Sequence, residues 1–343
     1  MADASFVKRL LEVHITLRDG EFWAGGNTKI VTGIPIKARI EKTGPPDFNK
    51  ASIEIRGMLY QDMERLSTLA FRPLFTARNL VRVYAGDENN GLSLAFSGEM
   101  TQASADFNAA PDVSFKIEAM TGYFGNVTPS GPTAVKGDQP VAEFIAMQAK
   151  KAGCEFRNNG VTARLSNAVF NGSPVAQARA AARQVGAELI IDDNIMTLSP
   201  RSGGDSATAS ASSNRTATAA PSEGARATAR AASDGTGSGT ASGASRSGTS
   251  SGGGTKAVLL NKDTGMLGYP VLTNEGVEVR GLYNPAFRLG GLVKVESIVP
   301  RASGVWRIIK LSHELTAFDP GGGPWESRMV TFYPSMSGAG GKI

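Results

Sequence analysis

Gly276-Val277-Glu278-Val279-Arg280-Gly281-Leu282-Tyr283-Asn284-Pro285, then Leu289-Gly290-Gly291-Leu292-Val293-Lys294-Val295-Glu296, then Gly304-Val305-Trp306-Arg307-Ile308, is the stretch that decides the fold. Val277 and Val279 alternate with Glu278 and Arg280, and Val293 and Val295 alternate with Lys294 and Glu296. A period of two puts one set of side chains on a buried face and the other in water, the pattern of half-buried antiparallel strands. Asn284-Pro285 and Gly290-Gly291 break the chain where a strand must turn. On one side the stretch begins at Gly268-Tyr269-Pro270. On the other it closes with His313-Glu314-Leu315 and a Gly323-Pro324-Trp325 loop.

The same period governs the start of the chain. Leu11, Val13, Ile15 and Leu17 face one way and Glu12, His14, Thr16 and Arg18 the other. Ile34, Ile36, Ala38 and Ile40 alternate with Lys37, Arg39 and Glu41, and Ile53 and Ile55 with Glu54 and Arg56. From Met58 to Ala70 the period changes. Leu59, Met63, Leu66 and Ala70 fall at helical spacing, which predicts one short helix. Strands are expected again at Leu80–Tyr84, Leu92–Ser97 and Val113–Ala119, the first two joined across the turn-rich Gly86–Gly91. Residues 10 to 120 thus read as an antiparallel barrel or sandwich with one helix.

Residues 139 to 199 read differently. Pro140-Val141-Ala142 opens a helix that ends before Gly153, and Cys154-Glu155-Phe156 follows as a strand. The plan recurs downstream. Ser173 is an N-cap with Pro174 at the first helical position, Gly186 stops the helix, and Ala187–Ile191 is a strand. Asp192-Asp193-Asn194 then turns into a last strand, Ile195 to Leu198. Two helix–strand units make a small α/β module. Arg201 to Thr255 holds no Val, Leu, Ile, Phe, Met, Trp or Tyr. Such a composition cannot bury enough apolar surface to offset the entropy of ordering, so a flexible, disordered insertion is expected.

The C-terminal stretch resembles the baseplate hub proteins of contractile-tailed bacteriophages, the late-control hub family. The resemblance rests on Gly276, Leu282-Tyr283-Asn284-Pro285, Gly290, Val293, Val295, Gly304, Trp306, Ile308 and His313 in that order. The family's usual aspartate soon after the histidine stands here at Asp319. A second match, Ile53 to Gly57 before the helix and Gly98-Glu99 before a strand ending near Gly122, is similar to the barrel these hubs share with tail-tube proteins. The resemblance implies an α+β, β-dominated chain with two tail-tube-like antiparallel β-barrel domains, at residues 1–128 and 257–343. Between them lie the α/β module at 129–200 and the low-complexity insertion at 201–256. It also implies a homotrimer that joins a six-fold tail tube to a three-fold spike in a phage, a phage-like bacteriocin or a secretion-system particle. The implied partners are the tail tube protein, the central spike protein, other baseplate proteins and the tape measure protein. The implied place is the tail baseplate of a virion, made and assembled in the host cytoplasm. Asn284, Pro285, Gly290, Gly304, Trp306, His313 and Trp325 are the expected structural and assembly residues.

The composition sets limits on other readings. Of 343 residues 36 are basic and 31 acidic, a net charge of +5 spread along the chain, and no Arg/Lys run interleaved with aromatics appears. That argues for a solvated surface and against specific nucleic-acid recognition. One cysteine allows no intrachain disulfide and no multi-cysteine metal site, as suits a reducing compartment. No signal peptide is expected, because Asp3 sits early and charge interrupts Leu10 to Leu17. No apolar run approaches the ~20 residues of a membrane helix.

No residue pattern assembles a catalytic site, and neither a cofactor nor a metal is expected. His14 and His313 are the sole histidines and lack His-Glu-x-x-His spacing. His14 reads as a solvent-facing strand residue and His313 as a structural hydrogen-bonding one. Cys154 reads as a small core residue rather than a nucleophile. Asp62 and Glu64 stand two apart on a helix and point in different directions, and Asp192-Asp193 reads as a hairpin turn. Gly252-Gly253-Gly254-Thr255-Lys256 lacks the spacing of a phosphate loop. Trp306 and Trp325 fit core or interface anchors better than sugar-stacking platforms. Two alternatives stay open: a module that binds cell wall through the duplicated helix–strand region, and a cell-wall hydrolase, since the resemblance is to hubs some of which carry a lytic domain.

Overall fold

A computed structural model describes residues 7–23, 25–44, 47–67, 79–108, 110–200, 257–274 and 276–332. The first β region comprises β1 (Arg9–Thr16), β2 (Thr28–Val31), β3 (Ile36–Thr43), β4 (Lys50–Arg56), α1 (Tyr60–Leu66), β5 (Leu80–Asp87), β6 (Gly91–Asp106) and β7 (Ser114–Met120). After α2 (Tyr123–Val127) come β8 (Ser130–Ala134), β9 (Asp138–Pro140), α3 (Val141–Ala152), β10 (Glu155–Asn158), β11 (Arg164–Ser166), β12 (Val169–Gly172), α4 (Pro174–Gln184), β13 (Ala187–Asp192) and β14 (Ile195–Pro200). The C-terminal region holds β15 (Val258–Leu260), β16 (Val271–Leu272), β17 (Gly276–Leu282), β18 (Leu292–Val295), β19 (Gly304–Ala317) and β20 (Trp325–Phe332). The expected insertion, residues 201–256, lies outside the described residues.

Thirteen strands form one sheet in the order β16-β17-β20-β19-β3-β4-β7-β6-β5-β1-β2, with β18 and β15 branching from β19. Antiparallel strands with alternating side chains bury one face and wet the other. The registers match the alternation read from the sequence. Leu11, Val13 and Ile15 lie opposite Ala85, Val83 and Val81. Ile36, Ala38 and Ile40 lie opposite Ile55, Ile53 and Ala51. The chain is strand-dominated, as expected, but the path runs open from β16 to β2, and among the described residues no pairing closes it into a barrel.

The two β regions also share elements. Strand β19 pairs with β3 through Lys310–Ala317 and with β18 through Gly304–Arg307. Leu315, Ala317 and Trp325 pack with Leu11, Val13 and Ile15 in a first apolar cluster. Trp306, Ile308, Leu311 and Met329 pack with Val277, Val279, Val293 and Val295 in another. The β19–β20 hairpin thus has one end in each core. A bulge makes this possible. Ile308 pairs with Thr331 and Lys310 with Val330, which leaves Ile309 without a cross-strand partner. The extra residue shifts the parity of the strand, so Trp306 and Ile308 before it and Leu311, His313 and Leu315 after it all point inward. Ile309, the extra residue, is therefore half-exposed.

Residues between β8 and β14 surround a separate cluster, with Phe144 and Ile145 of α3 against Val175, Ala178 and Ala181 of α4 and Leu189, Met196 and Leu198. Ser173 caps α4, its Oγ accepting from the Ala176 N–H at 3.2 Å. Strand β10 runs parallel to β14, which pairs antiparallel with β13. Four short strands here, β8, β9, β11 and β12, have no counterpart in the sequence reading, and neither does β2. Strands of three to five residues show too few alternations to stand out. Helix α1 is shorter than expected. Leu59 is its N-cap and is exposed, and residue 70 lies outside the described residues.

Candidate functional site

The inward face of β3 carries Ile36, Ala38, Ile40 and then Lys42, so the alternation drives a lysine into the interior at the strand's end. Lys42 is 5% exposed. Its Nζ lies 2.9 Å from both Asp192 Oδ1 and Asp193 Oδ2 at the β13–β14 turn. Asp193 and Asn194 both have positive φ, 47° and 68°, as a tight hairpin turn demands. Asp193 Oδ1 also accepts from the Ser97 backbone N–H at 3.0 Å. Asn49 Nδ2 donates to Asp192 Oδ1 at 2.7 Å and to the Ile191 carbonyl at 3.3 Å. Burial alone would lower the Lys42 pKa, but the two carboxylates outweigh it and hold the ammonium above its ordinary value. Burial pushes the Asp193 carboxyl up against the pull of Lys42. The pair forms the hairpin turn read from the sequence, and its half-buried carboxylates also make an ionic contact with the buried Lys42.

Beside it, His313 is 3% exposed and lies in register with Ile40. Its Nδ1 is 2.8 Å from Ser327 Oγ on β20, and its ring meets Tyr283 edge-on at 5.1 Å. Tyr283 in turn meets Trp325 at 5.6 Å. Burial, helped by the Lys42 charge, takes the His313 pKa down to about 3, so the imidazole is neutral at ordinary pH. Burial and the Asp193 charge push Tyr283 above its usual value. Its hydroxyl is buried without a hydrogen-bond partner.

The expected structural residues fall into two groups. His313 and Trp325 belong to the Tyr283 stack. Trp306, Gly304, Gly290, Asn284 and Pro285 surround the other cluster. Trp306 is 8% exposed and its Nε1–H donates to the Ala302 carbonyl at 2.9 Å. Asn284 and Pro285 open a β-turn in which the Phe287 N–H reaches the Asn284 carbonyl at 3.1 Å. The Asn284 side chain accepts from the Ala286 N–H at 2.9 Å. Gly290 has φ 77°, a conformation that disfavours any side chain, and its N–H bonds the Ile308 carbonyl. Asp319, displaced from the family position, bridges Arg56 at 2.6 Å and Lys37 at 3.2 Å.

Other candidates resolve into packing. His313 and Ser327 form a histidine–serine pair, but both are buried too deeply for a substrate to reach the hydroxyl. His14 is not simply solvent-facing. It is half-buried, 3.2 Å from Glu12 and tilted against the Tyr84 ring at 4.6 Å. Cys154 is buried, its thiol pushed up to about 11 by burial and by Glu99. Asp62 pairs with Lys29 at 2.9 Å. Among the described residues no group of three His, Cys, Asp or Glu could hold a metal ion, and no helix is long and apolar enough to cross a membrane. On the outer face Arg39, Arg280, Ser312, Glu314, Glu326 and Arg328 line a groove of about 280 Å³ crossed by the Arg280–Glu326 pair at 2.8 Å.

The corner at Asn284-Pro285 and the β18–β19 hairpin both lie within the stretch that a family model matches. Residues 253–320 match the family model described as baseplate hub gp41. The chain is similar to a phage baseplate hub. A likeness of fold to solved structures runs along nearly the whole chain. The 43 kDa tail protein of prophage MuSo2 from Shewanella oneidensis superimposes with a TM-score of 0.53 at 9% identity, over 94% of this chain and 98% of that one. A tail protein from Neisseria meningitidis MC58 gives 0.53 at 8% identity, over 96% and 99%. The lidded Francisella PdpA–VgrG complex gives 0.51 at 7% identity, over 98% and 54%. At such identities the likeness is one of fold. No curated protein matches the chain in sequence. The hub match and the tail-protein fold together support a structural role in a phage tail baseplate.

Proposed function

We propose that the protein is a hub subunit of a contractile-tail baseplate, working as a homotrimer whose ring joins a six-fold tail tube to a three-fold central spike. The observation that carries this reading is the β19–β20 hairpin, which sets two β units side by side in one continuous sheet. Two such units in each of three chains make six around a ring, which is how a three-fold object meets a six-fold tube. In this division residues 1–128 and 257–343 are the tube-like units, 129–200 the α/β module and 201–256 a linker. The hairpin of the second unit also completes the core of the first. Strands β2 and β16 end the sheet path, each paired on one side only among the described residues. Their open edges are where neighbouring chains would meet.

The partners on this reading are the tail tube, spike and tape measure proteins and other baseplate components, in a particle assembled in the host cytoplasm. The work is mechanical: the ring adapts symmetry and transmits the force of sheath contraction, with no catalytic step. Light scattering after size-exclusion chromatography, followed by electron microscopy of the peak, tests it. A trimer whose end-on view shows six similar lobes is expected, alone or with the spike protein. A chain that stays monomeric at high concentration with tube and spike proteins present overturns the reading.

A further inference from the structure

The α/β module meets the rest of the chain through a set of charged and polar groups. Its own apolar cluster takes in, of the described residues outside 129–200, Phe48 alone. The contacts that cross the junction include the Asp192-Asp193 turn on Lys42, Asn49 and the Ser97 N–H. To these are added Glu188 with Arg307 at 2.9 Å, Arg179 on the Asp47 carbonyl at 3.3 Å and over the Phe48 ring at 4.5 Å, and the Phe124 N–H on Glu99 at 2.7 Å. Junctions of this polar kind, unlike a shared apolar core, favour relative motion of the bodies they join.

The connection on the N-terminal side suits such motion. Thr121 is tied to the sheet, its N–H on the Asn49 carbonyl at 3.0 Å and its Oγ1–H on the Ser97 carbonyl at 2.8 Å. The next residue is Gly122 with φ 68°, and α2 begins immediately after it. On the far side the module ends with β14 at Pro200.

We propose that residues 123–200 form an arm, bolted to the large sheet by the Asp192-Asp193 turn on Lys42, that can leave the sheet as a folded unit by rotating about Gly122. The bolt suits this use because its strength depends on completeness. Buried charges are costly unless all partners are present, and removing one leaves the others unpaired in the interior. In the detached arm the same carboxylates return to water. Loss of one charge therefore raises the free energy of the docked form and leaves the detached form almost untouched.

Backbone amide exchange on the intact chain tests the arm. In Lys42→Met, exchange at Ser97 and Phe124, whose N–H groups bond across the junction, should accelerate by at least about tenfold, while the interiors of α3 and α4 keep their protection. The triple variant Lys42→Met, Asp192→Asn, Asp193→Asn removes the unpaired charges and should restore slow exchange at both. If α3 and α4 exchange together with the junction amides, the arm is not a folded unit and the proposal fails. Unchanged exchange at Ser97 and Phe124 would mean that Lys42 is not the bolt. Should Lys42→Met not fold, Asp193→Asn is measured in its place. If neither single variant folds, the contact holds the sheet rather than an arm, and the proposal is equally overturned.

Discussion

Acid should unfold this protein more steeply than it unfolds a His313→Asn variant. In the folded chain His313 is 3% exposed, accepts or donates one hydrogen bond with Ser327, and titrates at about 3 because burial and then Lys42 oppose its charge. In the unfolded chain it should titrate near its ordinary value of about 6.5. The unfolded state therefore takes up the proton first as pH falls. The stabilisation is complete above pH about 6.5 and is lost progressively down to the folded pKa, at up to about 1.4 kcal/mol per pH unit. At a pH of about 4.5 that amounts to roughly 2–3 kcal/mol, a large part of the ~5–15 kcal/mol of a typical domain. Other groups titrate over this range in both proteins, so the quantity to measure is the difference. Urea unfolding of wild type and His313→Asn would be followed at half-unit steps. The variant should be weaker at neutral pH, by about 1–3 kcal/mol for the disturbed buried hydrogen bond, and the gap should close or reverse as pH falls. If the two lose stability in parallel, His313 is not buried neutral and the account of the β19 core is wrong.

Three further outcomes follow from the architecture. Trp306→Ala should cost about 3–5 kcal/mol, seen as a lowered thermal midpoint and early exchange of amides in β17 and β18. Deleting Ile309 alone leaves Trp306, Ile308, Leu311, His313 and Leu315 on one face of an unbulged strand and should still give a folded chain, whereas deleting Ile309 and Lys310 together turns Leu311, His313 and Leu315 outward, so no soluble folded chain should be recovered; equal behaviour of the two would refute the parity argument. Replacing residues 201–256 with about ten Gly/Ser residues should leave the melting temperature nearly unchanged, because loop-closure entropy varies slowly with length.

The sequence reading was strongest where one residue decides one face. Val277 and Val279, Leu11 to Ile15, and the helix between Pro140 and Gly153 lie where alternation, capping and helical period place them. The sharing of strands between the two β regions was not legible, because pairing partners are not written locally. Nothing near Lys310–Ala317 announces that the strand will lie beside β3. The Lys42 contact left half a trace. A lysine following Ile36, Ala38 and Ile40 in the inward register is a conflict between pattern and polarity, and such conflicts mark buried partners. Its counter-charges lie at Asp192 and Asp193, whose turn-forming role gave a sufficient local explanation and hid the second one.

The sharing of β19 and β20 also bears on the order in which the chain can fold. Leu315, Ala317 and Trp325 fill the core built by the first strands. A ribosome delivers them last. Until then β3 has β4 on one side and an unpaired edge on the other, and the inward faces of Leu11, Val13 and Ile15 lack part of their cover. Contacts between the two ends of a chain are slow to form and leave apolar edges exposed in the meantime. Expression of the first β region alone should therefore give an aggregating fragment, and supplying the last strands in trans as a peptide should rescue its solubility.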